Sequence, residues 1–238
     1  MPSELRVDTD ATGLTVLPPD PVELVILYLH GDRYLSGAPE AAVDLAGHLA
    51  LRTRAAVVCP RYRPSFPDAL DDVQAAYDRC QVSGPVVVAG ERLGAGLAAA
   101  LLIRLRDAGA ALPRCAVLVS ALLDQTLEAP SLLRNAAADP GFDLAEFRRQ
   151  VAGYAAGTAP ADPLLSPLYA NLHGLPPVQL QVAGTDVLLD DSLAFAARAA
   201  RSGVTVDLRV QPDQASLRTE TVAAMAGFAA ARAMTAVR

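Results

Sequence analysis

The residues Val88-Ala89-Gly90-Glu91-Arg92-Leu93-Gly94-Ala95-Gly96 join an apolar segment, Pro85 to Ala89, to an Ala/Leu-rich segment that begins near Leu93. A Gly-x-Ser-x-Gly run between a strand and a helix forms a sharp turn that exposes a nucleophile. Gly90 and Gly94 suit such a turn, because a Cβ at either place would crowd the neighbouring strand and helix. The middle position carries Arg92. A guanidinium stays protonated and cannot attack a carbonyl carbon. The sequence therefore keeps the backbone device and lacks the nucleophile. Two roles suit an arginine here. Its planar fork can hold a carboxylate or phosphate group of a ligand. Alternatively it pairs with Glu91, Asp32 or Asp186, since a cation at the positive end of a helix is otherwise disfavoured.

The elements that must position this turn read as alternating strands and helices. Strands are predicted at Glu23–His30, Ala55–Cys59, Pro85–Ala89, Cys115–Ser120, Val178–Ala183 and Val204–Val210, the first three of them buried. Helices are predicted at 41–52, 67–80, 93–108, 143–156, 191–202 and 216–234. Continuous apolar runs such as Leu24-Val25-Ile26-Leu27-Tyr28-Leu29 mark strands covered on both faces. The expected class is α/β, a mostly parallel sheet flanked by helices. Residues 1–20 read as a short edge strand or arm. The 238 residues read as one domain over 1–238, with a polar, Pro-punctuated, cap-like insertion at 121–165. A hydrophobic content of 52% and a charged content of 19% describe a globular chain. The net charge of −6 argues against a nucleic-acid surface. No apolar run is long enough to span a membrane, and the polar start, Met1 to Asp10, does not read as a signal peptide, so a cytoplasmic protein is expected. Cys59, Cys80 and Cys115 have no metal-ligand or disulfide spacing, so reduced thiols and no metal site are expected. The Gly90–Gly96 run lacks a following Lys-Ser/Thr, and no cofactor motif is present.

Over roughly residues 22–236 the chain resembles the α/β-hydrolase fold, and within it the hormone-sensitive-lipase-like esterases. The resemblance rests on several ordered matches. They are Leu29-His30-Gly31-x-x-Tyr34-x-x-Gly37; Pro60-x-Tyr62-Arg63; Phe66-Pro67-x-Ala69-Leu70-Asp71-Asp72; Gly90-x-x-x-Gly94; Asp162-Pro163-Leu164-Leu165-Ser166-Pro167-Leu168-Tyr169; Gly174-Leu175-Pro176-Pro177; and Asp186-x-Leu188-x-Asp190-Asp191. It implies a Ser-His-Asp triad and an oxyanion hole from a His-Gly-Gly-Gly loop. This sequence departs from that pattern. The loop reads His30-Gly31-Asp32-Arg33, the nucleophile position is Arg92, and Ser216 stands where Pro212-x-x-x-His would place the base. Asp186 keeps the acid position, and no histidine follows His173. The resemblance also implies a reduced cap, since about 20 residues precede the first core strand, and a homodimer through the last strand and helix.

These departures nominate Asp186, Arg92, Asp32 and Arg33 as catalytic candidates. Tyr34, Glu91, Gly31 and Ser216 are candidates for lining a substrate pocket. The resulting expectation is a non-hydrolytic enzyme, of cyclase, lyase or dehydratase type, acting on a small organic metabolite, carboxylate-bearing ones included, through a rebuilt charged site. The rival readings are a catalytically dead relative that binds a small molecule or a protein, a residual carboxylesterase, and a structural subunit. His30, His48 and His173 are read as structural or solvent-facing, and Ser120 as part of a Ser-x-x-x-Asp124 turn. Asp190 and Asp191 are read as caps of the helix that follows.

Overall fold

The computed structural model describes residues 4–20, 24–31 and 38–233. In chain order the strands are β1 (Arg6–Asp10), β2 (Gly13–Leu17), β3 (Val25–Leu29), β4 (Ala56–Pro60), β5 (Val86–Glu91), β6 (Ala116–Val119), β7 (Val178–Ala183) and β8 (Val206–Gln211). The helices are α1 (Val43–Thr53), α2 (Asp68–Gln81), α3 (Leu93–Asp107), α4 (Ser131–Arg134), α5 (Leu144–Ala155), α6 (Leu189–Arg201) and α7 (Gln214–Ala233). The strands form one sheet in the order β1-β2-β4-β3-β5-β6-β7-β8. The pairs β1–β2 and β2–β4 are antiparallel and the remaining five are parallel.

Alternation along each strand divides its side chains between two cores. In β3, Val25, Leu27 and Leu29 face the layer that holds α2, α3 and α6, whereas Ile26 and Tyr28 face α1 and α7. In β5, Val86 and Val88 join the first core, and Val87 and Ala89 the second. A strand buried on both faces has no polar side, which is why these segments read as unbroken apolar runs.

The expected N-terminal arm is instead a hairpin of two strands. The Asp10 carboxylate accepts hydrogen bonds from the Thr12 amide and hydroxyl, each at 2.7 Å, and fixes the turn. Gly13 follows at φ 141°, where an added Cβ would sit 2.3 Å from the Cys59 carbonyl oxygen. The segment 121–165 is less polar in place than its composition suggests. Leu122, Leu123, Phe147, Val151 and Tyr154 are buried in the same core as α2 and α3. The Tyr154 carbonyl accepts the Phe66 amide at 2.8 Å, and Asp143 caps α5 through the amides of Ala145 and Glu146.

All three cysteines are buried and free, Cys80 in the first core and Cys59 and Cys115 in the second. Burial pushes the Cys59 and Cys115 thiols up to about 12 and that of Cys80 up to about 11.

The start of α3 lies hard against the end of β3. A Cβ on Gly94 would sit 2.0 Å from the Leu29 carbonyl oxygen, and one on Gly90 would sit 2.5 Å from the Gly94 carbonyl oxygen. Both obstacles are backbone, which cannot swing aside. Gly94→Ala is therefore expected to destabilise the fold by about 2–3 kcal/mol, read as a lower midpoint in thermal or denaturant unfolding. An unchanged midpoint would show that β3 and α3 can separate at no cost.

Candidate functional site

The turn between β5 and α3 places Arg92 at φ 51°, ψ −117°. An L-residue rarely adopts this backbone, and holding it costs about 1–3 kcal/mol. Neighbouring backbone groups hold it there. The Arg92 amide donates to the Val119 carbonyl at 3.0 Å, and its carbonyl accepts from Gly96 and Leu122, each at 3.1 Å. The sequence expectation of a strand–turn–helix elbow is met in the backbone. Gly31 is buried against it, since a Cβ there would sit 2.4 Å from the Glu91 carbonyl oxygen.

Asp186, just beyond β7, is 1% exposed. Its Oδ2 accepts hydrogen bonds from Ser120 Oγ and Gln214 Nε2, both at 2.6 Å, and its Oδ1 accepts the Leu188 amide at 2.9 Å. Neutral donors therefore satisfy this buried carboxylate, and it makes no ion pair with Arg92. Ser120 does not serve the expected turn to Asp124. It sits after β6 at φ 44° and turns its hydroxyl to Asp186.

Ser216 does not take the place beside Asp186. The helix α7 already starts at Gln214, and the Ser216 amide is spent on the Asp213 carboxylate at 2.8 Å. Gln214 occupies the position instead, two residues earlier than the Pro212 spacing indicates. Glu91 is also engaged. Its carboxylate lies 2.5 Å from His30 Nδ1, and its charge acts on the buried Tyr28 hydroxyl. Burial first, then the Glu91 charge, raises the Tyr28 hydroxyl well above its ordinary value. The His30 carbonyl accepts the Tyr62 hydroxyl, so the strand end is fixed from both sides. Asp32, Arg33 and Tyr34 lie outside the described residues.

A cavity of about 220 Å³ opens at this place, lined by Tyr28, Glu91, Arg92, Ser120, Gln214 and Arg218 among others. Among the described residues the Arg92 side chain has no hydrogen-bond or ion-pair partner. Larger hollows lie elsewhere, one of about 690 Å³ beside Pro85 and Pro176 and one of about 520 Å³ between the β1–β2 hairpin and α2. The small cavity is the one at the carboxyl ends of the parallel strands, where open α/β sheets hold their ligands. No cluster of three metal-ligating side chains occurs among the described residues, and no described helix is long and apolar enough to cross a membrane.

A family model for the alpha/beta hydrolase fold matches residues 26–215. Over 196 residues the chain is 39% identical to an acetyl-hydrolase of Streptomyces hygroscopicus, taking in 79% of this chain and 66% of that protein. Over 195 residues it is 31% identical to an esterase of Acinetobacter venetianus, with 78% and 64% covered. It thus spans just under two thirds of the length of these relatives. An esterase from the bacterial hormone-sensitive lipase family superposes with a TM-score of 0.90 at 29% identity, over 98% of this chain and 87% of that one. EstE5, solved after soaking with p-nitrophenyl butyrate, gives 0.88 at 28% identity, over 98% and 86%. This chain belongs to the alpha/beta hydrolase fold family, in its hormone-sensitive-lipase-like branch.

The relatives overturn the expectation of a cyclase, lyase or dehydratase. Those named are an acetyl-hydrolase and esterases, and they point to ester hydrolysis rather than to a non-hydrolytic reaction. The expectation failed because it weighed the charged replacements at Asp32, Arg33 and Arg92 above the scaffold that carries them.

Two further residues were misread. Asp190 and Asp191 do not cap α6 but pin the segment 121–165 to it. Asp190 accepts the Ser131 amide at 2.8 Å, and Asp191 accepts the amides of Leu123 and Asp124 at 2.9 and 3.0 Å. Burial pushes the Asp191 carboxyl up to about 7. Because its folded value exceeds the ordinary carboxylate value, the folded state holds the extra proton, and stability falls as pH rises from about 4 to 7. Asp191→Asn keeps an acceptor and removes the titration. Relative to wild type, this variant is expected to gain on the order of 2 kcal/mol between pH 5 and pH 8 in denaturant unfolding. A difference that does not change with pH would mean that Asp191 stays ionised throughout.

Proposed function

We propose that this protein handles carboxylic esters, the substrate class of its named relatives, without forming an acyl-enzyme at the elbow. The observation that carries this reading is the pairing of Gln214 with Asp186 beside an arginine. Covalent ester hydrolysis needs a nucleophile whose proton passes to a base, and the base in turn needs an orienting acid. Arg92 supplies no nucleophile, and an amide cannot serve as the base. What the fold retains is a pocket and the leading amides of α3, which no helical carbonyl satisfies. Such donors stabilise a developing oxyanion. In a serine hydrolase stripped of its triad, binding and oxyanion stabilisation alone leave about 10³–10⁴-fold acceleration over water.

Wild-type protein is therefore expected to hydrolyse p-nitrophenyl butyrate slowly, at about that level, with no burst of nitrophenol and no labelling by a fluorophosphonate. A burst equal to the enzyme concentration would overturn the reading, as it requires a nucleophile on this chain. Turnover no faster than the spontaneous reaction would remove ester hydrolysis altogether. Arg92→Ser combined with Gln214→His is expected to raise turnover at least about tenfold over either single variant, because nucleophile and base act as a unit. Equal rates in all three would show that Gln214 does not mark the base position.

The assembly proposed with this function is a homodimer through β8, the outer strand of the sheet. Its exposed Leu208 and Val210 support that reading. So does its charge pattern, because antiparallel pairing centred on Leu208 sets Asp207 opposite Arg209 of a second copy. Sedimentation should give a dimer mass that Leu208→Arg halves, and a monomeric wild type would refute it.

A further inference from the structure

We infer that the cavity between the elbow and α7 is a carboxylate-binding pocket in which Arg92 holds the anion and Arg218 adds a second positive charge. The inference rests on the proposed ester site and goes further, to the charge of the ligand. Arg92 sits at the leading end of α3, where the helix dipole is already positive. Arg218 lines the same cavity from α7. Two arginines and a helix start thus border one small cavity.

The carboxylates nearby do not neutralise them. Asp186 is satisfied by three neutral donors, Ser120, Gln214 and the Leu188 amide. Glu91 is paired with His30. Asp213 feels the charge of Arg218 but is bound by Ser216. Arg92 is left with no partner while partly buried, and an arginine in that condition gains most from a planar anion that accepts two parallel hydrogen bonds. A cavity of about 220 Å³ is smaller than the roughly 300–1,000 Å³ of drug-sized sites, so the ligand is a short-chain carboxylic acid. Chemically this is the acid that ester cleavage releases.

The test is calorimetric titration of the whole protein with butyrate and with butyramide, its neutral isostere. Butyrate is expected to bind at least about tenfold more tightly, and Arg92→Gln to weaken butyrate by about 10- to 100-fold. Arg218→Gln is expected to weaken it by a smaller factor. Equal binding of acid and amide, or undiminished butyrate binding by Arg92→Gln, overturns the inference. If Arg92→Gln does not fold, the acid–amide comparison on wild type decides alone. Failure here with slow ester turnover intact refutes the anion pocket and spares the ester reading. Carboxylate binding with no ester turnover does the reverse.

Discussion

The site depends on one close approach, that of the first turn of α3 to the last residues of β3. It is possible because Gly94 presents no Cβ to the Leu29 carbonyl and Gly90 none to the Gly94 carbonyl. Gly31 closes the contact from the other side, against the Glu91 carbonyl. With three backbones this near, the residue between the glycines has no freedom. Arg92 is forced into a left-handed conformation, and hydrogen bonds from β6 and α3 hold it there. The side chain is therefore presented at the carboxyl edge of the sheet whatever its chemistry.

The electrostatics follow from how the buried acid beside the elbow is satisfied. Asp186 takes its three hydrogen bonds from a hydroxyl, an amide side chain and a backbone amide, none of them charged. Three neutral donors thus satisfy this carboxylate without an ion pair to Arg92. The positive charge at the elbow thus remains uncompensated although an acid lies across the same cavity wall.

Much of the architecture was legible because the central strands are buried on both faces. Unbroken apolar runs placed β3 to β6 to within a few residues, alternating segments placed β7 and β8, and the elbow glycines marked the strand-to-helix turn. The N-terminal hairpin was missed because β1 is exposed along its whole length and has no apolar pattern, although Asp10-Ala11-Thr12-Gly13 was a turn signal. The site was legible in its positions and not in its pairings. Arg92 and Asp186 were identified, but Ser120, Gln214 and the His30–Glu91 contact depend on side chains that meet across 66, 28 and 61 residues. Periodicity carries no information at that range. Gln214 was also displaced by where α7 begins, since counting from Pro212 lands on a helical residue facing Asp213. The functional expectation went astray for a different reason, because individual charges were given more weight than the scaffold around them.

The distribution of cysteines makes this protein its own unfolding clock. The thiolate is the reactive form, and burial holds all three thiols far above neutral values. An alkylating reagent at pH 8 thus meets essentially no target in the closed state and registers only excursions that open a core. Cys80 lies in one core, and Cys59 and Cys115 in the other. The order in which the three become modified therefore reports which helical layer leaves the sheet first, with no added probe.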